Sequence, residues 1–428
     1  MLGHEVEVLC ADLPGWGYGG LPETPGEITV HRVFPGPITT LLYWARGATG
    51  IKRDFNIEEL LTRPKQSTEI FDRSISAKLR RFHQSKSKLT MIDNKFGFRR
   101  RIRRILEHFV STSLYPNESK EWSLLARPRL SKILRTFKPD VVITSHEPAS
   151  SIPLGLIAKR KGFRWVADLG DPINAQYSSD RWMKESLALE RAVMRAADLI
   201  TLTTEATWKE MLNRQPGLSP SSKLIVTQGH IGQSVESAGR VPPSFFHDSR
   251  LELLYTGTFY RFRNGNELFD AVKKLEGVRL TIATINPSPD LEELERCYPE
   301  KFRLLGFVPH DFSIEMQRQA DVVVNISNSD SIQIPGKFFE YLGSGRPILN
   351  IADALSDPTS EFVVAHNAGW AVTQDSNDIA ELLHNILKLK RQASFSRAER
   401  YYPPDRFRHL TWAASAAKLS AALEQLRN

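Results

Sequence analysis

Lys337 and Glu340, three residues apart behind Pro335-Gly336, are the residues of this sequence best suited to an anionic ligand that also carries hydroxyl groups. A helix opened by Pro and Gly leaves the backbone amides of its first turn unpaired, and with the helix dipole they favour a phosphate. Lys337 adds a positive charge at that end. Glu340 falls on roughly the same face, where a carboxylate accepts hydrogen bonds from ribose or sugar hydroxyls. Phe338, Phe339 and Leu342 remain for packing, Gly345 suits a left-handed cap, and Pro347 blocks further helix before the apolar run Ile348-Leu349-Asn350-Ile351. The spacing therefore predicts a loop, a helix over Gly336 to Gly343 and a buried strand. Ordinary capping uses the same residue pairs, so the segment alone does not establish a ligand.

A second phosphate-suited stretch lies upstream. The apolar run Leu251 to Thr256 leads into Gly257-Thr258-Phe259-Tyr260-Arg261-Phe262-Arg263, a glycine turn with two guanidinium groups. Arginine offers bidentate, permanently charged contacts to phosphate oxygens. The plain alternative is a solvated turn with two surface arginines.

These residues need a frame, and the chain alternates strands and helices in the manner of parallel sheets. In the first half, strands are predicted at Asp140 to Ser145, Arg164 to Asp168, Leu199 to Thr203 and Lys223 to Thr227, with helices at Ile152 to Arg160 and through Leu187 to Ala197. Ser234 to Ser249 reads as a linker from its turn-rich composition. The second half carries strands at Leu251 to Thr256, Arg279 to Ala283, Phe302 to Gly306, Asp321 to Asn325 and from Ile348. Its helices are expected near Asn266 to Leu275, Leu291 to Cys297 and Phe312 to Gln319, with two more at Asn377 to Leu389 and Leu410 to Leu426. Fold class is thus α/β, with two Rossmann-like domains facing across a cleft: residues 1–235 (with a basic insertion at 75–110), residues 245–405, and a C-terminal helix over 406–428 that packs back on the first domain.

At 428 residues the chain exceeds one hydrophobic core and suits two domains. Cys10 and Cys297 are too few and too far apart for a disulfide framework. No metal-ligand spacing appears, no basic start precedes an apolar run, and no stretch is long and apolar enough to span a bilayer, so a cytoplasmic protein without a metal is expected. The net charge of +8 implies an acidic partner: a nucleotide, an anionic membrane surface or nucleic acid.

The second half of the segment we began with, Glu340-Tyr341-Leu342-Gly343-Ser344-Gly345-Arg346-Pro347, resembles the donor-binding segment of the family-4 glycosyltransferases, the large retaining group with the GT-B fold. Further matches follow in order: Ala196-Ala197-Asp198-Leu199-Ile200 with Glu205-Ala206, then Leu305-Gly306-Phe307-Val308-Pro309 and Ala320-Asp321-Val322. Tyr115-Pro116-Asn117 with Trp122, and Val166 to Pro172, are similar to the branch that serves surface-polysaccharide assembly. In that family a first Glu stands eight residues before the second and helps hold the donor sugar; here Ile332 occupies its place. The family also begins with a strand, a glycine-rich loop and a helix, whereas here its second strand starts at Gly3, so the resemblance implies an N-terminal domain lacking its first strand-loop-helix.

The resemblance implies a retaining, metal-independent glycosyltransferase. It would move a sugar from a nucleotide-sugar donor, a substrate rather than a cofactor, to a hydroxyl of a saccharide or lipid-linked saccharide acceptor. Arg263 and Lys337 would stabilise the departing diphosphate, with Gly257, Thr258, Arg261, Gly336 and Glu340 completing the donor site. In Asp168-Leu169-Gly170-Asp171, Gly170 stands where many members carry His; Asp171 is the catalytic candidate on this side, and Asp168 and His146 are acceptor-side candidates. A lone His at a strand end is more often structural.

Lys78 to Arg104 is strongly basic, with interleaved Leu79, Phe82, Met91, Phe96, Phe98 and Ile102. Arg99, Arg100, Arg101, Arg103 and Arg104 are candidates for contact with an anionic bilayer, which would make the enzyme peripheral at the inner face of the membrane. A solvated insertion is the equal alternative, and no nucleic-acid module accompanies the charge. Two other functions stand against transfer. A nucleotide-sugar epimerase of related fold would bring acidic and His catalytic groups that are not found; a catalytically impaired sugar-nucleotide-binding protein would fit Ile332 and Gly170.

Overall fold

The computed structural model describes residues 2–13, 28–45, 101–116, 119–146, 148–175, 180–218, 222–232, 241–242, 245–260, 263–285, 287–328, 332–392, 402 and 406–427. In the first domain the strands are β1 (Glu7–Ala11), β2 (Thr29–Val33), β3 (Val141–His146), β4 (Arg164–Leu169), β5 (Leu199–Leu202) and β6 (Ser222–Ile225). Its labelled helices are α1 (Pro37–Ala45), α2 (Lys120–Leu125), α3 (Arg127–Thr136), α4 (Ile152–Arg160), α5 (Met183–Ala196) and α6 (Glu205–Arg214). Strands β3 to β6 pair in sequence order, all parallel. Trp165, Leu169, Ile200 and Leu202 from β4 and β5 meet Val193, Met194, Trp208 and Met211 from the covering helices, which fixes the strand ends that carry Asp168 and Asp171.

Strands β1 and β2 form a parallel pair of their own. They cover the same apolar cluster as β3: Leu9, Ala11, Val33 and Val142 all pack on Trp122, Leu130, Leu134 and Leu154. Among the described residues no strand joins the two sheets, and Val8 and Ile143 stay 36% and 44% exposed.

The second domain is a six-stranded parallel sheet, β7 (Leu251–Thr256), β8 (Val278–Ala283), β9 (Phe302–Leu304), β10 (Val322–Ile326), β11 (Ile348–Ala352) and β12 (Gly369–Thr373), in the order β12-β11-β10-β7-β8-β9. Its helices are α7 (Asn266–Lys274), α8 (Pro289–Cys297), α9 (His310–Gln319), α10 (Gly336–Ser344), α11 (Pro358–Ala365) and α12 (Ser376–Arg391), followed by α13 (Trp412–Arg427). All residues of β7, β8, β10 and β11 are buried, as near-continuous apolar runs require when helices cover both faces. Alternation divides the work. Leu251, Leu253 and Tyr255 join one core with Leu268, Phe269, Leu383 and Leu387, while Leu254 turns to Phe245, Phe312 and Met316 on the other face.

The predicted strands recur within a few residues, and α4 matches its predicted span. Seven labelled elements were not foreseen: β2, the edge strand β12, and the helices α1, α2, α3, α6 and α11. The stretch read as a linker is partly core, since Val241, Phe245 and Phe246 are only 2%, 1% and 2% exposed. The segment after α12 returns to the first domain. The His230 N–H donates to the Leu410 carbonyl at 3.1 Å, and the Trp412 N–H to the His230 carbonyl at 3.0 Å. Helix α13 continues there, with Ser415 Oγ donating to the Thr227 carbonyl at 3.0 Å and His4 Nε2 2.6 Å from Ser420 Oγ.

Candidate functional site

Helix α10 starts beside the carboxyl ends of β7 and β10, with Pro335 as its N-cap, and stops at Gly345, whose φ of 75° is the left-handed cap anticipated from the sequence. One side chain sets its position. The buried Tyr341 hydroxyl accepts from the Thr256 N–H at 3.0 Å and donates to the Thr256 carbonyl at 3.1 Å, so the helix is stapled to the last residue of β7. Burial pushes the Tyr341 phenol far up from its ordinary value, and it stays a neutral hydroxyl.

With the helix so placed, Lys337 and Glu340 come together. Lys337 Nζ donates to Glu340 Oε2 at 2.7 Å, Gln317 Nε2 donates to the same oxygen at 3.3 Å, and His310 Nε2 stands 3.3 Å from Oε1. Burial would raise the Glu340 carboxyl, but the His310 bond and the Lys337 ammonium outweigh it and hold it down at about 2. The result is a carboxylate that stays ionised at neutral pH, with one edge toward the helix start. Gly336 is exposed, and a Cβ built on it would lie 3.8 Å from Gln228 Cγ of the first domain, so the amides of the first turn open on the cleft between the domains.

Gly257 and Thr258 leave β7 in the adjoining loop, where the Tyr255 hydroxyl donates to the Thr258 carbonyl at 3.2 Å. Arg263 returns at the end of that loop: Tyr260 and Arg263 exchange backbone hydrogen bonds at 3.0 Å each. Its guanidinium is anchored by Asn328 Oδ1, at 3.0 Å from Nε and 2.5 Å from Nη2. Asn328 follows β10, so this bond ties the glycine loop to the chain that runs on into α10. Arg261 lies outside the described residues.

On the first-domain side, Asp168 is held within the sheet, accepting from Thr201 Oγ1 at 2.6 Å and from Ser145 Oγ at 3.1 Å. Asp171 instead meets the other domain, accepting from Gln333 Nε2 at 2.6 Å. His146 ends β3 at 7% exposure with no hydrogen-bond partner on either ring nitrogen among the described residues, and burial lowers its pKa to about 4, so it is a neutral imidazole. The structure thus joins Lys337 and Glu340 at the start of the helix opened by Gly336, while Arg263 is bonded to Asn328 and Asp171 to Gln333, both on the chain that leads into α10.

Arg101, Arg103 and Arg104 are exposed on a helical run over residues 101–113, beside Ile105 and Phe109 at 62% and 44% exposure. Arg103 Nε donates to Glu107 Oε1 at 2.9 Å. Arg99 and Arg100 lie outside the described residues. Sequence reasoning missed His310, Gln317, Asn328, Gln333 and Tyr341. Tyr341 follows Glu340 directly and was within reach as a polar residue on a buried helix face; the others come from separate loops and helices.

Residues 89–224 match the model of the glycosyl transferase 4-like domain. The match lies within the first domain. The two Rossmann-like halves of the chain form a GT-B fold. Sucrose-phosphate synthase from Thermosynechococcus elongatus is similar over 99% of this chain and 89% of its own, at 15% identity and a TM-score of 0.61. Anabaena HepE in complex with UDP is similar over 71% of this chain and 84% of its own, at 13% identity and a TM-score of 0.56; its complex with UDP-glucose gives a TM-score of 0.54 at the same identity. No curated protein sequence matches the chain. Among the described residues no helix is long and apolar enough to cross a membrane.

Proposed function

We propose that this glycosyl transferase 4-like chain moves a sugar from a nucleotide-sugar donor to a hydroxyl of a saccharide or lipid-linked saccharide acceptor, with retention and without a metal. The observation that carries the reading is the Lys337–Glu340 cluster at the open start of α10, fixed over the end of β7 by Tyr341 and facing the first domain. Structures of similar fold are complexes with UDP and UDP-glucose, which supports a nucleotide-sugar donor. Retention and metal independence follow from the family resemblance.

In this reading the donor diphosphate sits on the first-turn amides of α10 between Lys337 and Arg263, and Glu340 accepts from the ribose hydroxyls. When the bond between the sugar carbon and the diphosphate breaks, the electron pair goes to the phosphate oxygen, the new bond forms to the acceptor oxygen, and the acceptor hydroxyl's proton passes to the departing diphosphate. The charge growing on the diphosphate meets an ammonium, a guanidinium and a helix start already in position. Thr258 and Gly257 supply the close backbone of the glycine loop. Asp171, bonded to Gln333 from the first domain, is in this reading the group that contacts sugar or acceptor hydroxyls. His146 and Asp168 are the remaining acceptor-side candidates, and the sheet bonds of Asp168 favour a supporting part for it.

The exposed arginines of residues 101–104, next to Ile105 and Phe109, support contact with an anionic membrane surface, which would bring the enzyme to a lipid-linked acceptor. Release of nucleoside diphosphate from a panel of nucleotide sugars, with a bacterial lipid extract as acceptor, tests the transfer. Turnover that disappears in Glu340→Ala with the fold retained is the expected result; wild-type protein inert toward every donor and binding none of them would refute it.

A further inference from the structure

The chain entering α10 is clasped by the first domain. Thr204 Oγ1 donates to the Ile332 carbonyl at 2.8 Å and Thr207 Oγ1 to the same oxygen at 3.4 Å. Thr204 is also the N-cap of α6 and accepts from the Thr207 N–H at 3.1 Å, so the clasp is part of a helix end rather than a loose loop contact. The next residue, Gln333, sends its amide across the cleft to Asp171 at 2.6 Å, and both side chains are half-buried.

This geometry bears on a gap in the site. The side chain at 332 is aliphatic and has no polar atom to offer a sugar hydroxyl. Gln333 has both kinds. A hydroxyl donates one hydrogen bond and accepts others, a carboxylate only accepts, and an amide supplies N–H donors and a carbonyl acceptor. An amide next to a carboxylate therefore matches neighbouring hydroxyls of a pyranose ring. Reach is also satisfied. Gln333 precedes Gly336 by three residues, which span at most about 10 Å of chain, and a hexose bonded to a phosphate at the helix start lies inside that radius.

We propose that Gln333, presented by the clasp on Ile332 and acting together with Asp171, is the specificity-determining residue that reads the hydroxyls of the donor's sugar. The inference rests on the nucleotide-sugar reading above. The donor sugar inserts between the amide and the carboxylate, so each domain supplies one of the two groups, and the sugar replaces a protein–protein bond with its own hydrogen bonds. A site built from hydrogen-bonding groups discriminates strongly against an analogue that lacks the hydroxyl, because the buried groups are left unpaired.

The test is calorimetry on the full chain with paired probes: each of UDP, GDP, ADP and dTDP, and the corresponding nucleotide hexose and deoxyhexose. Gln333→Ala should leave the affinity for the preferred nucleoside diphosphate within about twofold, weaken its hexose derivative by about tenfold, and shrink the preference for hexose over deoxyhexose. Asp171→Asn should show the same selective loss, with unchanged melting temperature. If diphosphate and sugar derivative weaken together, the Gln333–Asp171 bond is only a latch between domains and the proposal is overturned. It is equally overturned if neither changes. A wild-type chain that binds no nucleoside diphosphate at all defeats the nucleotide-sugar reading itself, a distinct outcome.

Discussion

Replacing Lys337 by Met removes one charge from the donor site while keeping a side chain of similar length, and the structure sets what this should cost. Two unit charges about 4 Å apart near a protein surface interact by about 4 kcal/mol at an effective dielectric of about 20. Lys337 does not bring all of that to a diphosphate, because its ammonium is already 2.7 Å from Glu340 and must be shared. The net value of a hydrogen bond to a charged group, about 1.5–3 kcal/mol, is the better guide, and corresponds to roughly 10- to 100-fold in Kd. Stability should respond far less. The pair lies three residues apart on one helix with Lys337 34% exposed, and such pairs contribute about 0.3–0.5 kcal/mol, or a shift in Tm on the order of 1–2 °C. Calorimetric titration with a nucleoside diphosphate and a thermal melt of the same preparation measure the two effects. An affinity unchanged within twofold, or a collapse of Tm in step with affinity, would refute the reasoning.

Other consequences concern different parts of the frame. Tyr341→Phe deletes a buried hydroxyl bonded to both backbone groups of Thr256 and should destabilise the protein by about 1–3 kcal/mol in urea unfolding, with the melt still cooperative. Glu340 titrates at about 2 in the folded protein against an ordinary 4.5; its contribution is complete above about 4.5 and is lost as pH falls from there toward about 2. Wild-type stability should therefore drop between pH 5 and 3 more steeply than that of Glu340→Gln, by about 2 kcal/mol. Exchanging Arg101, Arg103 and Arg104 for Gln should weaken flotation with anionic vesicles by about 100-fold, at about 1 kcal/mol per charge, and leave neutral vesicles unaffected.

How far the sequence discloses this molecule differs between its parts. The second domain was legible because β7, β8, β10 and β11 are buried on both faces, carry mostly apolar runs and are punctuated by Gly and Pro, a local signal. The α10 unit was legible for the same reason, down to the left-handed Gly345. Edge strand β12 escaped because most of it is only half-buried, and its residues alternate weakly. Helix α11 carried a readable start, Asp357 capping the Ser360 N–H at 2.9 Å with Pro358 behind it, that went unused. The site divides likewise. Lys337 and Glu340 belong to one helical turn, so their meeting follows from spacing, whereas His310 and Gln317 reach Glu340 from α9 and Gln333 reaches Asp171 from the other domain. Packing brings those groups together over 23 to 162 residues of chain, and no local pattern records it.

The central claim is that the diphosphate of a nucleotide sugar rests on the first turn of α10. A crystal of the full chain soaked with UDP, or with whichever nucleoside diphosphate binds most tightly, tests it most directly. The account predicts phosphate density against the Gly336 and Lys337 amides, with Arg263 on the far side and the ribose beside Glu340. Density for the diphosphate anywhere else in the cleft, with Glu340 still engaged only by Lys337, His310 and Gln317, would contradict it.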